Sequence, residues 1–118
     1  MSYDIRLTDP VTKETIEFEF PHEFKGGTYA LGGTTEAWLN VTYNYGRHYR
    51  RVFGENGIRA IYGLTGEESI PVLKAAMEQL GDDVDPDYWK ATEGNAKRAL
   101  AQLLAFAQLR PDGVWDGD

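Results

Sequence analysis

Two segments near the start of the chain, residues 3–7 and 16–20, alternate between apolar and polar residues with a period of two. This period places every second side chain on the same face of a β-strand, so that one face is buried and the other is wet. Asp9-Pro10 lies between the two segments and is typical of a turn. The pattern therefore predicts an N-terminal β-hairpin, and Pro21 is expected to end its second strand.

The middle of the chain changes from strand-like to helical spacing. Alternation around Ala37 and Leu39 favours a strand that ends at about Asn40, and from about Thr42 the apolar residues fit a helix that runs to Phe53. The paired glycines at 26–27 and 32–33 indicate turns.

The C-terminal half of the chain predicts helices. Ser69, two residues before Pro71, is the favoured start of one helix, although Thr65 also fits a capping box with Glu68. Thr92 caps the last helix, which carries a broad apolar stripe. Strands first and helices later predict an α+β fold in a single domain, residues 1–118. It should contain the hairpin and a small antiparallel sheet packed with three or four helices, the C-terminal one being the longest.

Composition excludes several classes of function. The chain has 118 residues, no cysteine and a formal net charge of −7. We expect a cytoplasmic protein, because neither a signal peptide nor an apolar run of about 20 residues occurs. The negative charge disfavours direct binding of nucleic acid. Residues 26–62 differ from the rest: four arginines and two glutamates give +4 − 2 = +2, which leaves −7 − 2 = −9 elsewhere.

This basic, aromatic segment contains the candidate ligand site. Arginines hold phosphate or carboxylate groups, and aromatic and amide side chains stack on and hydrogen-bond to a planar ligand. The pattern predicts an anionic, nucleotide-like ligand. The alternatives are structural: Trp38 in the core, asparagines in turns, and arginines paired with the chain's own acids. The candidate residues are Trp38, Asn40, Asn44, Tyr45, Arg47, His48 and Arg51.

An acidic run forms a second candidate, for contact with a partner protein. It consists of Asp82, Asp83, Asp85 and Asp87. The run fails the calcium-loop pattern, because Tyr88 stands where glycine is required. We expect no metal site and no cofactor. Neither serine lies in a nucleophile motif, so His48 as an acid–base group is what remains for an enzyme.

Three strings, GGTYALGGTTEAWLNVTYNY at 26–45, TGEESIP at 65–71 and TEGNAKRAL…RPDGVWDGD at 92–118, resemble a group of short proteins encoded by phages, prophages and other mobile elements of bacteria. The resemblance covers almost the whole chain but assigns no residue a role. It implies a phage-type accessory protein that counters host defence by binding a host protein or a signalling nucleotide.

Three functions therefore stand as hypotheses. The first is a non-enzymatic protein that binds a small anionic ligand or a host effector. The second is an acidic inhibitor, similar to anti-CRISPR or anti-restriction proteins, that blocks a basic nucleic-acid-binding host protein. The third is a small enzyme that uses His48. Self-association is left open by the sequence.

Overall fold

The computed structural model describes residues 1–22 and 34–118, with side chains in the first range described as far as Glu19. The turns expected at the paired glycines 26–27 and 32–33 lie outside these residues. The α+β fold is confirmed, with a small antiparallel sheet, three α-helices and the C-terminal helix as the longest. The elements are β1 Ser2–Thr8, β2 Glu17–His22, β3 Thr34–Glu36, β4 Trp38–Thr42, α1 Gly46–Phe53, α2 Gly66–Glu78, α3 Glu93–Leu109 and β5 Val114–Gly117.

Strand β1 is the centre of a three-stranded sheet in the order β4-β1-β5, with both pairs antiparallel. Strands β1 and β2 meet only around the turn, where Thr8 bridges to Thr15 and the Asp9 carboxylate accepts the N–H groups of Val11 and Thr12. Beyond the turn, β2 pairs with β3 instead. The sequence predicted the turn at Asp9-Pro10. It did not predict the neighbours of β1, because β4 and β5 are distant from β1 in the sequence.

The connection from β4 into α1 is longer than the sequence predicts. Strand β4 continues to Thr42, whose hydroxyl accepts the N–H of Asn44, and a 3₁₀ turn covers Tyr43–Tyr45 before α1 begins at Gly46. The helix therefore starts about four residues later than predicted. It ends as predicted at Phe53, because Gly54 has φ +104°, a backbone conformation that favours glycine.

Helix α2 begins at Gly66 rather than at the favoured Ser69. The capping box is complete, since the Thr65 hydroxyl accepts the Glu68 N–H and the Glu68 carboxylate accepts the Thr65 N–H. The hydrogen bond from the Thr65 N–H to the Glu68 carboxylate lowers the pKa of Glu68. Ser69 has another role: it is buried, and its hydroxyl accepts the indole N–H of Trp115 at 2.7 Å.

Helix α3 is capped by Thr92 as predicted and packs along α2. Its buried side chains meet the inner face of the sheet and the fully buried side chains of α2. None of the helices in the described ranges is long and apolar enough to cross a membrane. The largest core side chains are Trp115, Tyr45, Tyr49, Phe106, Ile5, Leu7, Leu39, Ile58, Ile61, Leu73, Leu100 and Leu103.

Candidate binding surface

The N-terminal half of α1 and the 3₁₀ turn before it lie against the segment that connects α2 to α3. We call residues 82–91 of that connection the acidic loop. The amide of Asn44 donates to the carbonyl oxygen of Trp89 at 2.8 Å, and His48 Nε2 contacts the carbonyl oxygen of Ala91 at 2.7 Å. A carbonyl oxygen can only accept, so Nε2 carries the proton. Both side chains therefore hold loop backbone.

Tyr45 belongs to the core and not to a surface site. Its side chain is fully buried, and its hydroxyl donates to the carbonyl oxygen of Tyr88. Burial raises the pKa of Tyr45 to about 12. Tyr49, one helical turn later, is also fully buried and donates to the carbonyl oxygen of Ala96 at 2.9 Å. In this structure, a ligand on the surface has no access to the Tyr45 side chain.

Two arginines of α1 differ in whether they form an ion pair within the protein. Arg51 donates to the Glu93 carboxylate at 2.7 Å, and a second, weaker bond at 3.4 Å reaches the carbonyl oxygen of Gln79. Arg47 is exposed and makes no ion pair within the described ranges. Of the basic residues proposed from the sequence, Arg47 alone is free to meet an anion.

The aspartates of the acidic loop stabilise its backbone. One carboxylate oxygen of Asp83 accepts the N–H of Gly94, one of Asp85 accepts the N–H of Asp87, and one of Asp87 accepts the N–H of Trp89. Such bonds are typical of turns formed by aspartate. Asp82 differs, because it pairs with Lys97 at 2.7 Å while its own side chain stays 89 % exposed.

Asn95 holds the acidic loop from inside and was not singled out in the sequence. It is fully buried, its side-chain oxygen accepts the Asp85 N–H at 3.0 Å, and its amide donates to the carbonyl oxygens of Asp87 and Lys90 at 3.1 Å each. The available signal was an asparagine at the start of the apolar stripe of α3. Beside it, Gly94 lets the loop backbone approach so closely that a Cβ atom would lie 2.6 Å from Val84 N.

The loop held in this way presents an aromatic pair to solvent. The rings of Tyr88 and Trp89 lie 4.8 Å apart between centroids, and Trp89 is 48 % exposed. Val84, also in the loop, is 46 % exposed. The sequence did not single out Trp89, because nothing local distinguishes an outward from an inward aromatic residue.

Trp38 and Asn40 lie apart from this surface, on the outer face of the three-stranded sheet. Asn40 donates to the Asp4 carboxylate and to the Ser2 hydroxyl, both at 2.7 Å, and Trp38 stands opposite Arg6 in the register. The seven residues proposed from the sequence thus lie in three places. Four are on α1 or on the 3₁₀ turn before it, one is in the core and two are on the sheet face: Asn44, Arg47, His48 and Arg51; Tyr45; Trp38 and Asn40. In the described part of the chain, no group of three or more His, Asp or Glu side chains could hold a metal ion.

Comparisons with known proteins give no evidence on the function of this chain. No protein-family model matches this chain, and neither the curated proteins nor the solved structures contain a match.

Proposed function

We propose that this chain is a non-enzymatic binding protein that engages a basic partner protein through the acidic loop, residues 82–91. The observation that carries the proposal is the half-exposed Trp89 on a loop whose backbone is held at Tyr88, Trp89 and Ala91. The side chains that hold it come from α1 and from the 3₁₀ turn before α1. Aromatic side chains on a fixed backbone are favoured anchors in protein interfaces, because little conformational entropy is lost when they bind.

The charge around Trp89 favours a basic partner. Four aspartates and Lys90 give the loop a net charge of −4 + 1 = −3. Asp85 pairs with Lys90 at 3.5 Å, and Asp82 pairs with Lys97. The backbone bonds of Asp83 and Asp87 each use one carboxylate oxygen and leave their negative charges without an ion pair among the described residues. Nucleic-acid-binding proteins carry basic surfaces of this complementary sign. In the phage-type setting that the sequence resemblance implies, the partner would be a host defence protein of this kind.

The bonding of His48 supports binding over catalysis. Its Nε2 proton is committed to the Ala91 carbonyl oxygen, and the ring is half-buried between α1 and the loop. A general base needs a nitrogen within reach of a substrate proton. In this tautomer Nδ1 is the unprotonated nitrogen that would have to act as the base, and it makes no hydrogen bond to a nucleophile among the described residues. His48 therefore fits a structural role better than a catalytic one.

The test is Trp89→Ala. The wild-type chain and the variant are used to recover host proteins, and the affinity of each recovered protein is then measured by calorimetry at low and high salt. Loss of an interface anchor costs about 2 kcal/mol or more, which is a loss of affinity of about thirtyfold. The affinity of the wild type should also fall with salt, since the contact pairs unlike charges.

The matched control is Leu109→Ala, which removes another exposed apolar side chain, 64 % exposed at the end of α3. It should bind as the wild type does, and both variants should melt close to the wild type. A recovered partner that binds the Trp89 variant and the wild type equally, or without dependence on salt, would overturn the proposal.

A small anionic ligand is the second candidate function, and the unpaired Arg47 favours it. A thermal-shift screen against nucleotides and cyclic dinucleotides tests it, because a ligand that binds the folded state raises the melting temperature. Stabilisation that Arg47→Gln abolishes would favour this candidate over the protein partner. No stabilisation by any nucleotide would count against it.

A further inference from the structure

The outer face of the three-stranded sheet contains a cleft of about 210 Å³, apart from the acidic loop. It is lined by Asp4, Arg6, Trp38, Gly117 and Asp118. The strand register explains this grouping, because Arg6 stands opposite Trp38 on one side and opposite Asp116 on the other. Side chains of alternate residues on neighbouring strands therefore converge on the same face.

Two side-chain carboxylates of the cleft make no ion pair with the described residues. Arg6 is bound to Asp116 at 2.9 Å, so these two charges offset each other. Asp4 accepts a bond from the Asn40 amide, and Asp118 accepts the backbone N–H of Asp4 at 2.9 Å. Arg59 Nε donates to the main-chain oxygen of Asp118 at 2.8 Å, whereas the side-chain carboxylates of Asp4 and Asp118 make no ion pair with the described residues. The cleft therefore attracts a positive group.

The size of the cleft restricts the ligand. Sites for drug-sized molecules usually enclose about 300–1,000 Å³, so a whole nucleotide is too large for this cleft. A single planar group on a side chain is of suitable size. An indole wall attracts a cation to its π-face, and carboxylates accept two parallel N–H bonds from a guanidinium.

We propose that this cleft binds the guanidinium group of an arginine side chain of a partner polypeptide, stacked against Trp38 and hydrogen-bonded to Asp4 and Asp118. A guanidinium fits better than an ammonium, because it is planar, stacks on aromatic rings and is more weakly hydrated. This site is separate from the acidic loop, so its test does not depend on the function proposed for that loop.

The experiment is an NMR titration of the whole chain with a capped Gly-Arg-Gly peptide, following the indole N–H of Trp38 and the amides of Asp4 and Asp118. A capped Gly-citrulline-Gly peptide is the neutral, nearly isosteric control, and free L-arginine tests whether the source is a metabolite. We expect saturable shifts with the arginine peptide that weaken with salt, and none with the citrulline peptide.

The variant Asp4→Asn keeps the shape of the side chain and removes its charge. It should weaken binding of the arginine peptide by about tenfold, because a hydrogen bond to a charged group is lost. Glu55→Gln, an exposed carboxylate in the turn after α1, makes the same charge change away from the cleft and should leave binding unchanged. The amide spectrum of each variant verifies that it is folded.

Four outcomes would overturn the proposal. The first three are shifts of equal size with the citrulline peptide, equal binding of the Asp4→Asn variant and the wild type, and no shift at Trp38 with any guanidinium. Binding of free L-arginine at least about tenfold tighter than the capped peptide would also overturn it, because the ligand would then be a small molecule and not a polypeptide.

Discussion

The contact between α1 and the acidic loop and the outer face of the sheet offer similar polar residues but use them differently. In the first region, the side chains of Asn44, His48, Arg51 and Asn95 all bond to the chain itself. On the sheet face, the side-chain carboxylates of Asp4 and Asp118 make no ion pair with the described residues. A cluster of arginine, histidine and asparagine in a sequence can therefore be an internal contact, and only the identity of the partners separates the two cases.

The largest expected effect is a loss of stability when asparagine is replaced by alanine at the acidic loop. The same substitution on the sheet face provides the comparison. Asn95→Ala would leave the Asp85 N–H and the Lys90 carbonyl oxygen without a partner in a partly buried place, while the Asp87 carbonyl oxygen would keep only the Lys90 N–H. Because each unsatisfied buried group costs about 1–3 kcal/mol, we expect a loss of about 3 kcal/mol in the free energy of unfolding. Urea unfolding measures the loss, and amide exchange should quicken in the loop.

Asn40→Ala is the matched variant on the sheet face. The Asn40 amide also makes two side-chain bonds, but its partners Ser2 and Asp4 are only partly buried or exposed, so water replaces the lost bonds. The cost should stay below about 1 kcal/mol. Equal costs at the two asparagines would mean that the acidic loop is not held more firmly than the open sheet face.

Much of the fold was predictable because its signals are local. The Asp9 turn, the Thr65 capping box, the Thr92 cap and the apolar stripe of α3 depend on residues within a few positions of one another. The partner of β1 was not predictable in the same way. Period-two alternation marks a strand but carries no information on which strand lies beside it, so β4 and β5 could not be identified as its neighbours.

The candidate site was less predictable than the fold. The sequence grouped Trp38 and Tyr45 with the arginines of α1 because they are close along the chain. The structure separates them, because β4 faces Trp38 outward on the sheet while the 3₁₀ turn directs Tyr45 into the core. Asn95 and Trp89 were missed because their roles depend on the tertiary structure. The backbone of Trp89 is held by Asn44, which is more than 40 residues away in the sequence, and Asn95 is important because it is buried.

Smaller changes in the free energy of unfolding, of opposite sign, are expected when two buried tyrosine hydroxyls are removed. Tyr49→Phe removes the donor to the Ala96 carbonyl oxygen and should cost about 1–2 kcal/mol of unfolding free energy. The Tyr62 hydroxyl lies beneath Gly117 of the sheet and is buried without a hydrogen-bond partner among the described residues. Tyr62→Phe should therefore leave stability unchanged or raise it by up to about 1 kcal/mol.

Urea unfolding of both phenylalanine variants measures the two changes in unfolding free energy. Each variant is the control for the other, because both lose the same hydroxyl oxygen. A destabilised Tyr62→Phe would indicate that this hydroxyl does have a partner, such as a bound water. An unchanged Tyr49→Phe would indicate that the bond between α1 and α3 adds nothing to their packing.

The last effect is absent at neutral pH and is expected only in alkaline solution. Burial raises the pKa of Tyr45 and of Tyr62 from 10.0 to about 12. Tyrosinate therefore forms first in the unfolded chain, so this contribution to stability is complete below pH 10 and is lost as the pH rises from 10 to about 12. Unfolding free energies measured across this range should fall, and either Tyr45→Phe or Tyr62→Phe should make the decline shallower. The two variants should flatten it to a similar extent, because desolvation is the main cause of both shifts. This holds although the Tyr45 hydroxyl is hydrogen-bonded to the acidic loop and the Tyr62 hydroxyl has no partner among the described residues. A flattening by Tyr45→Phe alone would instead assign the alkaline transition to release of the acidic loop.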